Sequence, residues 1–184
     1  MQVLPSNIPD VKILVPKIFR DTRGYFCETY NAAAYQAVGI DTTFVQDNES
    51  ASMRGVIRGL HWQDGPHAQA KLVRVIRGAV WDVAVDIRQG SPTYGQFVAT
   101  LLTAENGHQF FIPRGFAHGF AVLEDNTLFS YKCDNFYCPQ AERGIRFDDP
   151  TLNIPWPKLM CAPILSEKDL HHPAFTDITP WSPA

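Results

Sequence analysis

An imidazole, an ammonium, a phenol and a carboxylate are the groups in this chain that could move protons at carbon. The segment GVIRGLHWQDGPHAQAKLVRVIRG, Gly55 to Gly78, carries His61 and Lys71. Around them lie Arg54, Arg58, Arg74 and Arg77 against a single acid, Asp64, although the whole chain has a net charge of −3. Such a local excess of cations reads either as solvated strand edges or as a pocket for an anionic small molecule such as a nucleotide diphosphate. Fixed positive charges favour the neutral form of a nearby imidazole, and a neutral imidazole accepts a proton. Tyr131 reads either as a sheet-core aromatic or as a phenolic acid facing the histidine across a bound substrate. Asp169, in ILSEKDLHHP, has two readings as well. With Ser166 it fits a helix capping box, the simpler local interpretation. Folded back against His61, it would orient that ring and stabilise the imidazolium.

The elements that must position these groups are mostly strands. Segments near 56–62, 71–77, 80–87, 97–103, 109–112, 118–123 and 127–133 are short, rich in Val, Ile, Phe and Thr, and separated by Gly, Pro, Asn or Asp. This pattern predicts an all-β jelly roll with short peripheral helices, residues 1–184 forming one domain. Residues 31–38 predict a short helix with Asn31 as N-cap and Gly39 as its stop. The stretch 150–184 holds seven of the fourteen prolines and is expected to wrap the barrel as loops and a short helix. Period-two alternation puts Lys71, Val73 and Val75 on one face and Leu72, Arg74 and Ile76 on the other. It likewise groups Phe129, Tyr131 and Cys133. Arg58 and His61 differ by three, so both reach one pocket only if the backbone departs from regularity at Gly59.

Composition excludes several classes. An acidic total argues against nucleic acid or an anionic membrane as partner. No run approaches the ~18 apolar residues of a membrane span, and MQVLPSNIPDVKILVP lacks the basic and apolar regions of a signal peptide. A cytoplasmic location is therefore expected. Cys27, Cys133, Cys138 and Cys161 have no CxxC spacing and are expected to be reduced and structural.

Two motifs resemble those of the cupins. Gly55, His61, Gln63, Lys71 and Gly78 fall at the first motif's spacing, and GHQFFIPRGFAH, from Gly107 to His118, falls at the second's. A metallocupin has His, His and Glu in the first motif and one His in the second. Here His61 and His118 remain, while an amide and an ammonium occupy the other two places. A protonated lysine has no lone pair to give a metal, so an acid/base site is expected.

More specifically, RDTRGYFCE (20–28), QDNES (46–50), IRGLHWQ (57–63), QAKLVRV (69–75), FIPRGFAHGF (111–120), YKCDNFYCPQAERGIRFDDP (131–150) and LSEKD (165–169) resemble the dTDP-4-dehydrorhamnose 3,5-epimerases. The resemblance implies a cupin jelly roll, a homodimer without metal or organic cofactor, and inversion at C3 and C5 of a 4-keto-6-deoxyglucose nucleotide. It implies His61 as base, Asp169 as its assistant, Tyr131 as proton donor and Lys71 near the keto oxygen. Arg58 and His118 would lie near the sugar. Arg23, Phe26, Glu28, Gln46, Asn48, Glu142 and Lys168 would hold the nucleotide sugar, with Tyr137 stacking on the thymine. Arg23 and Glu28 are expected from the partner subunit. Trp62, where a tyrosine is common, and DGPHAQ (64–69) depart from the pattern near the site. An epimerase acting at one centre, and a non-catalytic nucleotide-sugar-binding cupin, remain as alternatives.

Overall fold

The computed structural model describes residues 1–159 and 162–183; Cys161 lies outside the described residues. Its architecture is two facing antiparallel sheets. One runs β1 (Gln2–Leu4), β2 (Lys12–Val15), β10 (Gln109–Ile112), β7 (Lys71–Arg77), β12 (Thr127–Cys133) and β5 (Gln46–Ser52). The other runs β13 (Glu142–Gly144), β6 (Ile57–Gln63), β11 (Phe116–Val122), β8 (Ala79–Asp86) and β9 (Phe97–Thr103). A separate hairpin pairs β3 (Ile18–Asp21) with β4 (Gly24–Cys27). This is the expected cupin-type jelly roll.

Alternating side chains from both sheets build the core between them. Val73, Val75, Phe110 and Phe129 of the first sheet pack with Val80, Ala84, Phe116, Phe120 and Val122 of the second. Both sheets are also covered on their outer faces, which is why alternation does not end in solvent. Leu72, expected to point away from the barrel, is buried with Leu14 and Phe111 under Tyr35 of α1 (Ala32–Gln36). Asn31 caps that helix by accepting from Ala34 N. On the second sheet, Leu60, Trp62, Val83 and Val85 pack against Ile145, Leu152, Ile154 and Phe175 from the C-terminal stretch.

The proline-rich end wraps this outer face as expected, in loops with two short 3₁₀ turns, Asp169–His171 and Phe175–Asp177. Backbone pairings fasten it. Ile57 N bonds Ile164 O at 3.0 Å, and Trp181 N bonds Ile87 O at 2.7 Å. Six strands escaped the sequence pattern: β1 to β5 and β13. β5 reads QDNESAS, with no apolar alternation, because it is an edge strand whose inner side borders a polar cleft rather than the core.

The expected irregularity sits at Gly59. Pairing of β11 with β6 runs His118↔His61 and then Phe120↔Arg58, so β6 carries one extra residue at this point. Gly59 has φ +115°, and a Cβ there would stand 2.5 Å from Gly119 Cα and 2.6 Å from His118 O. The extra residue lets Arg58 and His61 share one cleft, which resolves their parity conflict. Gly59→Ala combines left-handed strain with a backbone clash, and we expect it to cost about 2–5 kcal/mol. Denaturant unfolding of the variant checks this. A loss below about 0.5 kcal/mol would mean that the close approach at Gly59 is not needed.

Candidate active site

The mouth of the barrel opens into a cleft of ≈ 670 Å³, lined by Arg58, His61, Lys71, His118, Tyr131, Glu142, Lys168 and Asp169 among others. A contiguous recess of ≈ 310 Å³ shares His61, Lys71, Tyr131 and Glu142 with it and adds Gln46, Asn48, Gln63 and Tyr137. His61 comes from β6 and Tyr131 and Lys71 from β12 and β7, so the imidazole stands on one sheet and the phenol and ammonium on the facing sheet.

His61 Nε2 lies 2.5 Å from Asp169 Oδ1. The carboxylate is almost fully buried, with 3 % of its side chain exposed, whereas the imidazole is 27 % exposed to the cleft. Burial pushes the Asp169 carboxyl up, but hydrogen bonding to His61, the charge of His61 and the Ser166 hydroxyl outweigh it, and the net shift is downward. Asp169 is thus an anion at neutral pH. It holds the proton of His61 on Nε2 and leaves Nδ1 with the free lone pair. The capping reading holds in part: Ser166 Oγ accepts from Asp169 N at 3.2 Å and donates to Asp169 Oδ2 at 2.8 Å, while the 3₁₀ turn Asp169–His171 has Lys168 at its N-cap.

Lys71 faces the cleft without an ion pair among the described residues. Burial lowers its pKa, opposed by Cys133, Asp82 and Glu142. Beneath it, His118 Nε2 meets Asp82 Oδ1 at 2.9 Å, both side chains being nearly inaccessible. Asp82 Oδ2 is buried without a hydrogen-bond partner among the described residues. Burial raises the Asp82 pKa despite His118 and Lys71, and burial lowers that of His118. The sequence reading missed Asp82, one acid inside the apolar run AVWDVAV, and the interruption of that run is the signal that marks it. Tyr131 packs against the core, and burial raises its pKa, so its phenol keeps its proton at neutral pH.

The residues expected around the nucleotide divide into two groups. Gln46, Asn48, Arg58, Tyr137, Glu142 and Lys168 border the cleft or its recess. Gln46 Oε1 accepts from Tyr137 N at 3.0 Å, and Glu142 Oε2 accepts from both Tyr137 Oη at 2.7 Å and Lys168 Nζ at 2.6 Å. That fixes a half-exposed phenol ring at the rim. Arg23, Phe26 and Glu28 do not line the cleft of their own chain. Arg23 closes the β3–β4 turn on Asp21, and Phe26 is 68 % exposed.

The cupin ligand positions do not fit a divalent cation. The Gln63 carbonyl oxygen already accepts from Cys138 N at 2.7 Å, and Lys71 brings positive charge instead of a lone pair. The departing segment 64–69 forms a 3₁₀ turn capped by Asp64, with Pro66 O accepting from Asn135. Its last residue, Gln69, lines the recess.

The family model described as dTDP-4-dehydrorhamnose 3,5-epimerase matches residues 5–177. The dTDP-4-dehydrorhamnose 3,5-epimerase of Pseudomonas aeruginosa is 54% identical over 178 residues, 96% of this chain and 97% of that protein. That of Shigella flexneri is 52% identical over the same shares. The crystal structure of dTDP-6-deoxy-D-glucose-3,5-epimerase from Legionella pneumophila, in complex with dTDP-4-keto-L-rhamnose, superposes with a TM-score of 0.93 at 47% identity, covering 97% of this chain and 94% of that one. By its sequence, by its fold and by its relatives along nearly its whole length, this chain belongs to the dTDP-4-dehydrorhamnose 3,5-epimerase family.

Proposed function

We propose that the chain inverts C3 and C5 of dTDP-4-dehydro-6-deoxy-D-glucose, giving dTDP-4-dehydro-L-rhamnose, with His61 as base and Tyr131 as acid. The observation that carries this reading is that the two groups face one cleft from opposite sheets. Inversion needs a proton removed from one face of carbon and returned to the other, so acid and base must be different groups on opposite walls.

A hydrogen alpha to a ketone is a weak acid, and imidazole removes it only if the enolate is stabilised where its charge appears, on O4. His61 Nδ1 takes the proton, the electron pair of the C–H bond passes into the enolate, and Asp169 stabilises the imidazolium. Lys71 holds the negative oxygen. At an effective dielectric of about 20 and a separation of roughly 4 Å, one cation contributes about 4 kcal/mol. Tyr131 then gives its proton to the opposite face, leaving a phenolate that regains a proton while the imidazolium loses one. A turn of the sugar ring between steps presents the second carbon to the same pair.

The nucleotide is held at the rim, its base against Tyr137 and its diphosphate near the cationic side chains. We further propose that the protein is a cytoplasmic homodimer in which one jelly-roll domain lends its β3–β4 hairpin to the partner's cleft. Supporting this, Phe19, Tyr25 and Phe26 are 50 %, 64 % and 68 % exposed on that hairpin, and Arg23 and Glu28 have no substrate role open to them at home. No helix among the described residues is long and apolar enough to cross a membrane.

Incubation of the 4-keto sugar nucleotide in heavy water tests the reaction. NMR should show deuterium at both C3 and C5, and exchange at one of them alone would demote the chain to a single-centre epimerase. His61→Ala and Tyr131→Phe should each lower kcat by about 10²–10⁴ with little change in binding. Wild-type turnover by either variant would remove that residue from the mechanism.

Because burial lowers the Lys71 pKa, the ammonium is present below that value and lost as pH rises through it. The alkaline limb of kcat should therefore fall below the ordinary lysine range of about 10.4. In Lys71→Arg, slower but always charged, the limb should move up, and an unmoved limb would assign it to another group. Phe19→Ser with Phe26→Ser should yield monomers of lower activity by sedimentation analysis. A fully active dimer would show that the hairpin is not shared.

A further inference from the structure

His172 is used by none of the steps above, yet it is built into the same corner. Its ring lies edge-on to that of His61, with centroids 5.3 Å apart and planes at 74°. Its Nε2 is 3.4 Å from Asp169 Oδ1, the oxygen that also meets His61. Only 11 % of the side chain is exposed, and Nε2 is buried without a hydrogen-bond partner among the described residues. The place is shaped for the ring. Gly144, the register partner of His61 on β13, leaves it room, since a Cβ there would come within 2.3 Å of His172 Cε1 and Nε2.

We propose that His61, Asp169 and His172 form a transition-metal site whose occupation switches off the base. One ligand atom from each lies within 4.8 Å of the other two. Two imidazoles and a carboxylate suit Zn²⁺ and its neighbours, which bind at roughly 2.0–2.2 Å. Tetrahedral ligands at that bond length stand about 3.3–3.5 Å apart, the spacing that His172 and Asp169 already have. Around an ion His61 and Asp169 move apart by somewhat under an ångström, and the remaining ligand atoms, within 4.8 Å of one another, close to that spacing. The cluster is distinct from the barrel's cupin positions, of which it uses His61 alone.

The inhibitory consequence rests on the proposed role of His61. Coordination takes the Nε2 lone pair, so the ring proton moves to Nδ1. A neutral imidazole has one lone pair, and with the metal on it none is left for carbon-bound hydrogen. The ion lies behind the base, on the side away from the facing sheet that carries Tyr131, so it blocks proton removal without filling the sugar's space. Zn²⁺ should thus lower kcat while leaving KM nearly unchanged.

Two measurements separate the site from its consequence. Co²⁺ added to the full chain without substrate should give visible d–d bands saturating at one equivalent, displaced by Zn²⁺ and lost in both His172→Ala and His172→Gln. With substrate, Zn²⁺ should reduce kcat at least about tenfold, reversibly on adding EDTA. The ratio of rates with and without Zn²⁺ should return toward one in His172→Gln, the variant that best preserves packing. Absence of Co²⁺ bands, or bands unaltered in both variants, overturns the site. Inhibition that is equal in wild type and variants, or purely competitive, assigns the metal to the substrate's diphosphate and overturns the switch. Bands that behave as expected on a protein without epimerase activity would keep the site and sink the function it was joined to.

Discussion

A buried carboxylate held as an anion is the constraint on which the site depends. Asp169 reaches His61 from 108 residues further along the chain, and it is nearly inaccessible to water. Taking a carboxylate out of water is costly unless hydrogen bonds and charge replace its hydration. His61 Nε2 and Ser166 Oγ supply that replacement. Because the anion persists, the tautomer of His61 is fixed, and with it the nitrogen that faces the work. The pairing of Ile57 with Ile164 beside this contact, and the latch of Trp181 on Ile87 further along, keep the C-terminal stretch against β6 and hold Asp169 in place. The proline-rich end therefore contributes to the chemistry as well as to the packing of the outer face.

The second requirement is separation. Acid and base on one sheet would sit side by side, whereas a jelly roll offers two sheets that face each other across a core. Here the core side chains stop short of the mouth, and inward positions toward the ends of β7, β12 and β6 turn polar: Lys71, Tyr131 and His61. The same alternation that places Val73 and Val75 in the core places Lys71 two residues further out. The extra residue at Gly59 brings Arg58 to the cleft without moving His61 from it.

What the sequence revealed follows from locality. The seven central strands, the Asn31 cap and the shared faces of Lys71 and Tyr131 are set by side chains a few positions apart, and short-range periodicity reports them. Of the missed strands, β5 reads QDNESAS with polar faces, and β1 and β13 are three residues long, too short for a period to show. The proximity of Asp169 to His61 had no local signal beyond a capping pattern and was named through family resemblance. His172 was missed because neither pattern nor motif distinguished it, and Asp82 because its one signal, an acid interrupting an apolar run, names no partner. HHP reads as the end of a turn, and the partner of Asp82 is on the neighbouring strand β11. The hairpin was named through its resemblance, and the exposed aromatics Phe19, Tyr25 and Phe26 along its strands carried no local signal of a partner.

The two altered cupin positions show how one fold can exchange a Lewis acid for a protein cation. A divalent ion in a metallocupin polarises an oxygen, and its ligands must give lone pairs. Replacing a carboxylate by Lys71 reverses the sign at that point: positive charge comes from the protein itself, on a side chain anchored at the end of β7. The amide at the neighbouring position is freed from ligation, and Gln63 uses it to accept from Cys138 N. That bond fixes the segment leading from Tyr137 into β13, so a former ligand position now positions the rim of the cleft. The Asp82–His118 pair lies under the ammonium, and Asp82 opposes, without outweighing, the burial that lowers the Lys71 pKa. In the proposed mechanism an enolate oxygen entering this cleft would meet a charge that is already desolvated and already oriented, and stabilisation of that kind needs little reorganisation at the moment of reaction.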